Sequence, residues 1–85
     1  MKFQVLWNRN AENDLADLWL QATDRSAITQ SAREIETLLE INPLECGESR
    51  EFTERRALFN PPLAVIYHVV PDDFLVVITR VRRTS

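Results

Sequence analysis

Cysteine is almost missing from this sequence: Cys46 is the only one in 85 residues. A lone cysteine cannot close an internal disulfide, so a disulfide-stapled secreted scaffold is excluded and a reducing compartment is expected. Cys46 stands beside Glu45 and Glu48, whose charge disfavours a thiolate, so an inert small side chain is expected rather than a nucleophile. Histidine is equally scarce. His68 has no second histidine and no Cys–Cys pair to join it, so no structural zinc site is expected, and no metal or cofactor is implied. No apolar run approaches the roughly 20 residues needed to cross a bilayer, which argues against membrane residence. The opening Met1-Lys2-Phe3-Gln4-Val5 lacks a long apolar core ahead of a small-residue cleavage site, so no secretory signal is expected and the chain should remain in the cytoplasm. Repeats, linkers and low-complexity segments are absent too.

What is present suits one domain spanning residues 1–85. A chain of this size buries roughly 60–65% of its unfolded surface, enough to fold alone with little stability to spare. A hydrophobic content of 45% argues against disorder. The net charge of −3 is unevenly spread. Residues 1–49 hold four bases against nine acids, whereas residues 50–85 hold six arginines against four acids. An acidic whole disfavours general nucleic-acid binding, which needs several phosphate-neutralising bases. A local arginine face is still available to it.

Periodicity gives the order of elements. Phe3 to Trp7 reads as a first strand. Asn8 or Asn10 can cap a helix over about residues 11–22, with Glu12 and Asp14 near its positive end. Leu15, Leu18, Trp19 and Ala22 share one face of that helix, and Trp19 at this spacing is expected in the core. Thr23 or Asp24 caps a longer helix striped by Ile28, Ala32, Ile35, Leu38 and Leu39. Asn42-Pro43 ends it, because proline cannot continue the ladder. So short a link between amphipathic helices predicts an antiparallel helical hairpin. Residues 43–54 form a polar connection containing the only glycine, Gly47, and the acids Glu45, Glu48, Glu51 and Glu54, read as a solvated series.

Three strands follow. Arg55 to Phe59 leads into a turn forced by Asn60-Pro61-Pro62. Leu63 to Val70 is a β-branched and aromatic run suited to a central strand. Val70-Pro71-Asp72-Asp73 suits a type I turn. Phe74 to Val81 returns as the hairpin partner, and Arg82-Arg83-Thr84-Ser85 is a short basic tail. The expected architecture is α+β, in the order β-α-α-β-β-β. Its two layers are a helical hairpin and the one face of a small, mostly antiparallel sheet that the hairpin covers. The other sheet face is left for solvent or a partner, and an exposed strand could self-pair in a homodimer.

At this point the chain resembles the RelE/ParE family of toxins, also known as plasmid-stabilisation-type proteins. Val5-Leu6-Trp7-Asn8 followed by Ala11-Glu12-Asn13-Asp14-Leu15 is similar to the family's first strand and the "A..DL" opening of its first helix. Arg56-Ala57-Leu58, Leu63 to Val69 and Phe74 to Val81 resemble its "R.L … YR(I/V)(I/V)Y.V" strand pair and final strand. The resemblance covers nearly the whole chain with short, mainly hydrophobic motifs, which specify fold better than activity. It implies a bacterial, cytoplasmic, toxin-like component of a type II toxin–antitoxin module, bound by a cognate antitoxin, and ParE-like or catalytically degenerate. RelE-like members cut messenger RNA on the ribosome and ParE-like members poison DNA gyrase. The alternatives are therefore a ribosome-dependent endoribonuclease and a non-toxic interaction domain.

Carrying the family's residues over leaves enzyme status open. The arginine that would stabilise charge on a scissile phosphate falls on Ala64. The nuclease lysines of the preceding strand fall near Arg55 and Ala57, and the last basic residue near Arg82 or Arg83. Tyr67 matches the strand tyrosine, and its alternation with Val65 and Val69 points it at the core. His68 then falls on the uncovered face with Ala64 and Ile66. There it could act as a general base toward a 2′-hydroxyl, with Arg55 or Arg83 nearby, so these three are the candidate catalytic residues. Arg56, Arg80 and Arg82 are candidates for binding a partner's carboxylates or a phosphate backbone. The plainer reading makes His68 a surface histidine and the arginines solvated side chains, some pairing with Glu51 or Glu54.

Overall fold

The computed structural model describes residues 2–44, 48–49 and 55–84, with side chains for all but 48–49. Cys46, Gly47, Glu45, Arg50, Glu51 and Glu54 lie outside the described residues, and with them the expectations placed on Cys46, the acid series and its pairing with arginines. The elements are β1 (Gln4–Trp7), α1 (Arg9–Gln21), α2 (Arg25–Ile41), β2 (Glu48–Ser49), β3 (Arg55–Asn60), β4 (Leu63–Val70), a 3-10 turn (Pro71–Asp73) and β5 (Leu75–Arg83). They form one mixed sheet in the order β1-β5-β4-β3-β2. β1 runs parallel to β5, and every other pairing is antiparallel. The two-layer α+β order expected from the sequence is what the chain adopts, with one addition. Glu48–Ser49 within the polar connection pairs with Arg56 and Ala57 as a short edge strand.

Alternation along β4 explains how the layers meet. Leu63, Val65 and Tyr67 are buried, while Ala64, Ile66 and His68 are only half-buried. The buried set packs with Leu58, Val76, Ile78 and Val81 of the flanking strands, with Ile28, Ile35 and Leu39 of α2, and with Ala11 of α1. Each buried Val, Leu or Ile among them contributes about 1.5–3 kcal/mol on leaving water, which places most of the stability on this one sheet face. Tyr67 is fully buried, and its phenol donates to the Pro43 carbonyl at 2.7 Å just beyond α2. The buried hydroxyl is thereby satisfied, and the central strand is fastened to the end of the helix layer.

Local chemistry sets the joints. Asn8 accepts from the Ala11 amide at 2.9 Å as the α1 N-cap, while its own N–H donates to the Ile78 carbonyl at 3.0 Å. One residue thus ends β1 and starts α1. Asp24 precedes α2 without a side-chain cap bond. The missing help at the end of α1 comes from Arg25, which donates to the carbonyls of Trp19 at 2.9 Å and Leu20 at 3.1 Å. At the far end of the layer, Ser31 donates to the Asn60 carbonyl at 2.6 Å and Asn60 donates to Glu34 at 2.9 Å, tying α2 to the β3–β4 turn. The turn expected at Val70–Asp73 forms as part of a 3-10 turn over Pro71–Asp73, which ends on Phe74 in the left-handed region, φ 48. That conformation is uncommon for a bulky residue. It is held by the Phe74 N–H to Pro71, by the Gln4 N–H to the Phe74 carbonyl, and by ring packing of Phe74 on Phe3 at 5.4 Å.

Two expectations are corrected. Arg82 and Arg83 are no tail: they are the last residues of β5, paired with Ala64 and Leu63. Trp19 is no core residue: it is 40% exposed, and the Arg25 guanidinium lies over its ring at 4.5 Å from the centroid. The buried stripe of α1 centres on Ala11, with Leu15, Leu18 and Ala22 packed against the core, so Trp19 falls at its margin.

Candidate functional site

Strand register lays out the uncovered sheet face row by row, since cross-strand partners share a face. Leu6, Val77, His68 and Arg55 form one row across β1, β5, β4 and β3. Arg80, Ile66 and Ala57 form the next, and Arg82, Ala64 and Phe59 the one after. A bulge interrupts β5 between the first two rows. The register shifts at Ile66/Tyr67, leaving Thr79 as the extra residue, and its hydroxyl donates to the Ile66 carbonyl at 3.2 Å. Among the described residues the face mixes an apolar floor with cations; Leu6 and Phe59 are well exposed, Ala57 is buried, and register sets Glu48 of β2 beside Ala57.

Of the candidate catalytic residues, two come together and the third does not. Arg55 and His68 are direct cross-strand partners on this face. Arg83 pairs with Leu63, on the opposite face and five residues along β4, about 16 Å from His68 at strand spacing. Arg83 also has another engagement. It donates to Asp24 at 2.7 Å, which pins the end of β5 to the corner between the helices. The Arg83 hydrogen bond holds the Asp24 carboxyl below the usual carboxylate range. The candidate partner-binding arginines divide as well. Arg80 and Arg82 lie on the uncovered face, whereas Arg56, opposite Tyr67, lies half-buried on the helix side.

Asp14 is the residue the sequence reading placed differently. Expected to favour the helix end, it reaches the edge of β5 instead. β1 stops at Trp7, beside Ile78, so the outer edge of β5 beyond that point lacks a strand partner. α1 runs along this stretch, and Asp14 accepts the Val81 backbone N–H at 2.9 Å, Arg80 Nε at 2.9 Å and Arg82 Nη1 at 3.2 Å. Arg82 also donates to the Val81 carbonyl at 3.0 Å. Burial alone would raise the Asp14 carboxyl; the Val81 N–H and the two guanidinium groups outweigh it and hold the group below the usual carboxylate range. Both arginines are substantially exposed, 46% and 61%, so each pair contributes at most about 1 kcal/mol.

On the helix layer a second feature opens. A groove of about 650 Å³ runs between α1 and α2, floored by Trp7, Leu15, Ile28 and Ala32 and walled by Trp19 and Leu20. Leu20 is 64% exposed. Trp7 donates through its indole N–H to Glu36 at 3.1 Å, and Glu12, Arg33 and Glu36 rim the groove. Among the described residues, no three His, Cys, Asp or Glu side chains gather as a metal site. No helix among them is long and apolar enough to cross a membrane.

Solved structures match this architecture end to end. A chain of the RelBE2 toxin–antitoxin complex from Mycobacterium tuberculosis superposes with a TM-score of 0.80 at 21% identity, over 98% of this chain and 99% of that one. A chain of the chromosomal ParDE toxin–antitoxin system from P. aeruginosa gives 0.74 at 18% identity, over 98% and 97%. The chain has the RelE/ParE toxin fold. A mutant of the E. coli toxin RelE in the free state matches all of this chain and 86% of its own, with a TM-score of 0.74 at 14% identity. No protein-family model matches the sequence, and no curated protein does.

Within the RelE/ParE fold, this chain's uncovered face sets Arg55 and His68 side by side and has Ala64 in the row nearest the β3–β4 turn, between Arg82 and Phe59. The helical groove and the Asp14 contacts escaped the sequence reading. The one available signal was Asp14's place in the "A..DL" resemblance, which marks the position without giving its partner.

Proposed function

We propose that the chain is the toxin-like component of a type II toxin–antitoxin module, acting in the cytoplasm and neutralised by a cognate antitoxin. The observation that carries this reading is the apolar groove between α1 and α2, open to solvent on a fold shared with chains of toxin–antitoxin complexes. Trp19 and Leu20 expose apolar surface there, and such surface is stabilised by a partner that covers it. An amphipathic antitoxin segment with apolar side chains at helical spacing fits the groove, with Glu12, Arg33 and Glu36 setting register at its rim.

The reading favours a ParE-like or catalytically degenerate protein over a nuclease. Ala64 supplies no charge to a scissile phosphate, and Arg83 is committed to Asp24. Co-expression with the product of the neighbouring reading frame is the test. Growth arrest by the chain alone, rescue by the companion and co-purification of the two are expected; absence of both arrest and capture removes the proposal. Inhibition of gyrase supercoiling by purified chain supports the ParE-like version, and unaffected gyrase discards it. The Arg55–His68 pair favours one second reading, ribosome-dependent messenger RNA cleavage. Mapping of RNA 5′ ends after induction decides that, because a nuclease leaves new in-frame cuts.

A further inference from the structure

We propose that the groove between α1 and α2 is electrostatically polar and takes a basic amphipathic helix, whose cations lie at the end bearing Glu12 and Glu36. This rests on the antitoxin reading and deepens it, by naming the charge of the segment and the end of the groove that the charge occupies.

The two ends of the groove differ in kind. Trp7, just ahead of α1, donates to Glu36 in the later half of α2, so the start of α1 and the later half of α2 share one end. Arg25, at the start of α2, donates to Trp19 and Leu20 near the end of α1, which marks the other. Glu12 and Glu36 rim the first end beside Trp7. Trp19, Leu20 and Ile28 line the second, where the Arg25 guanidinium lies 4.5 Å from the Trp19 ring centroid. From Glu12 to Leu20 the groove follows α1 for about 12 Å, room for two to three turns of an incoming helix.

Charge complementarity selects the occupant. The dipoles of two antiparallel helices oppose each other at each end, so the side chains decide the sign. Arg33 is the one base on the rim, a turn before Glu36 and toward the middle, and leaves the carboxylates in excess. Among the described residues, neither Glu12 nor Glu36 is held in an ion pair. The surrounding helix layer has the same sign. α1 sets Arg9 against Glu12, Asp14 and Asp17, and α2 sets Arg25 and Arg33 against Glu34, Glu36 and Glu40. A helix from a second copy of this chain would therefore bring like charge to the groove. A segment with apolar side chains on one face and lysine or arginine at one end of that face meets Leu15, Trp19 and Leu20 with the first and the two carboxylates with the second. Laid the other way round, it would carry its cations to Arg25. The net charge of −3 attracts such a segment at longer range as well.

The test uses the full chain, isotopically labelled, and two synthetic helical peptides with the same leucine stripe, one ending in lysines and the other in glutamates. Each carries a nitroxide spin label at its charged end. The lysine peptide is expected to bind about ten-fold tighter at low salt. Its label is expected to broaden the amides of Glu12 and Glu36 rather than those of Leu20 and Arg25. The double change Glu12→Gln, Glu36→Gln is expected to abolish the preference, and the amide oxygen it leaves can still accept the Trp7 indole N–H. Should that variant fail to fold, the wild-type chain with the peptide pair decides the matter alone. Equal affinities, a preference that survives the double change, broadening at the Leu20 end, or self-association through the groove would each overturn the proposal. Titration with the companion protein separates the two readings. Groove shifts at an affinity indifferent to the double change discard the charge assignment alone, whereas unshifted groove amides remove the antitoxin from the groove and this proposal with it.

Discussion

The Val81 backbone N–H and the Asp14 carboxylate meet at 2.9 Å, 67 residues apart in sequence, and close the stretch of β5 that β1 leaves open. An uncapped strand edge invites pairing with another chain. Here a helix side chain occupies the donor, and the Arg82 guanidinium covers the carbonyl of the same residue.

Asp14→Asn should lower stability by about 1–2 kcal/mol at neutral pH, since charge-assisted bonds become neutral ones. The Asp14 carboxyl titrates below its ordinary value in the folded chain. Its contribution is therefore complete above the unfolded carboxylate value, about 3.9, and is lost as pH falls through the lower folded value. Urea unfolding of both proteins across acid pH checks this: their difference should shrink below about pH 4.

Tyr67→Phe deletes a buried 2.7 Å bond and leaves the Pro43 carbonyl without that donor. A loss of about 1–2 kcal/mol is expected, read as a lower urea midpoint with an unchanged slope.

Arg25→Ala removes the donors to the carbonyls of Trp19 and Leu20 and uncovers the Trp19 ring. The end of α1 should fray, at a cost of about 1 kcal/mol. In a Trp7→Phe background, Trp19 fluorescence should shift to the red and amides near Ala22 should exchange faster.

Leu20→Glu separates binding from folding. Leu20 is 64% exposed, so stability should change by less than about 0.5 kcal/mol. Antitoxin capture should weaken by about ten-fold or more, because a charge would enter the apolar wall of the groove. Calorimetry on the purified pair measures it, and unchanged affinity would locate the antitoxin elsewhere.

The strand phase of β4 was readable because only one sheet face is covered, so alternation maps directly onto burial. Tyr67 inside and His68 outside follow from that alone. Trp19 was misread because a helical stripe gives a direction but not its centre: α1 lies along the β5 edge, and its buried line runs through Ala11. β2 left no pattern, being two residues long. Arg82 and Arg83 looked like a tail because charge resembles solvation until its partners are known. Asp14 and Asp24 are those partners: the first meets β5 beyond the end of β1 and the second at the corner between the helices, and no local pattern encodes either meeting.

Pairing of Gln4–Trp7 with Leu75–Ile78 sets the order in which the molecule can assemble. During synthesis both helices emerge before any strand of their sheet except β1, so Ile28, Ile35 and Leu39 wait without a cover. The first strand finds its neighbour only when the last has been made, a closure over most of the chain that slows folding. A nascent chain of this kind spends its riskiest interval with its apolar helix faces bare, which is when a chaperone or an early-bound companion protein would matter most.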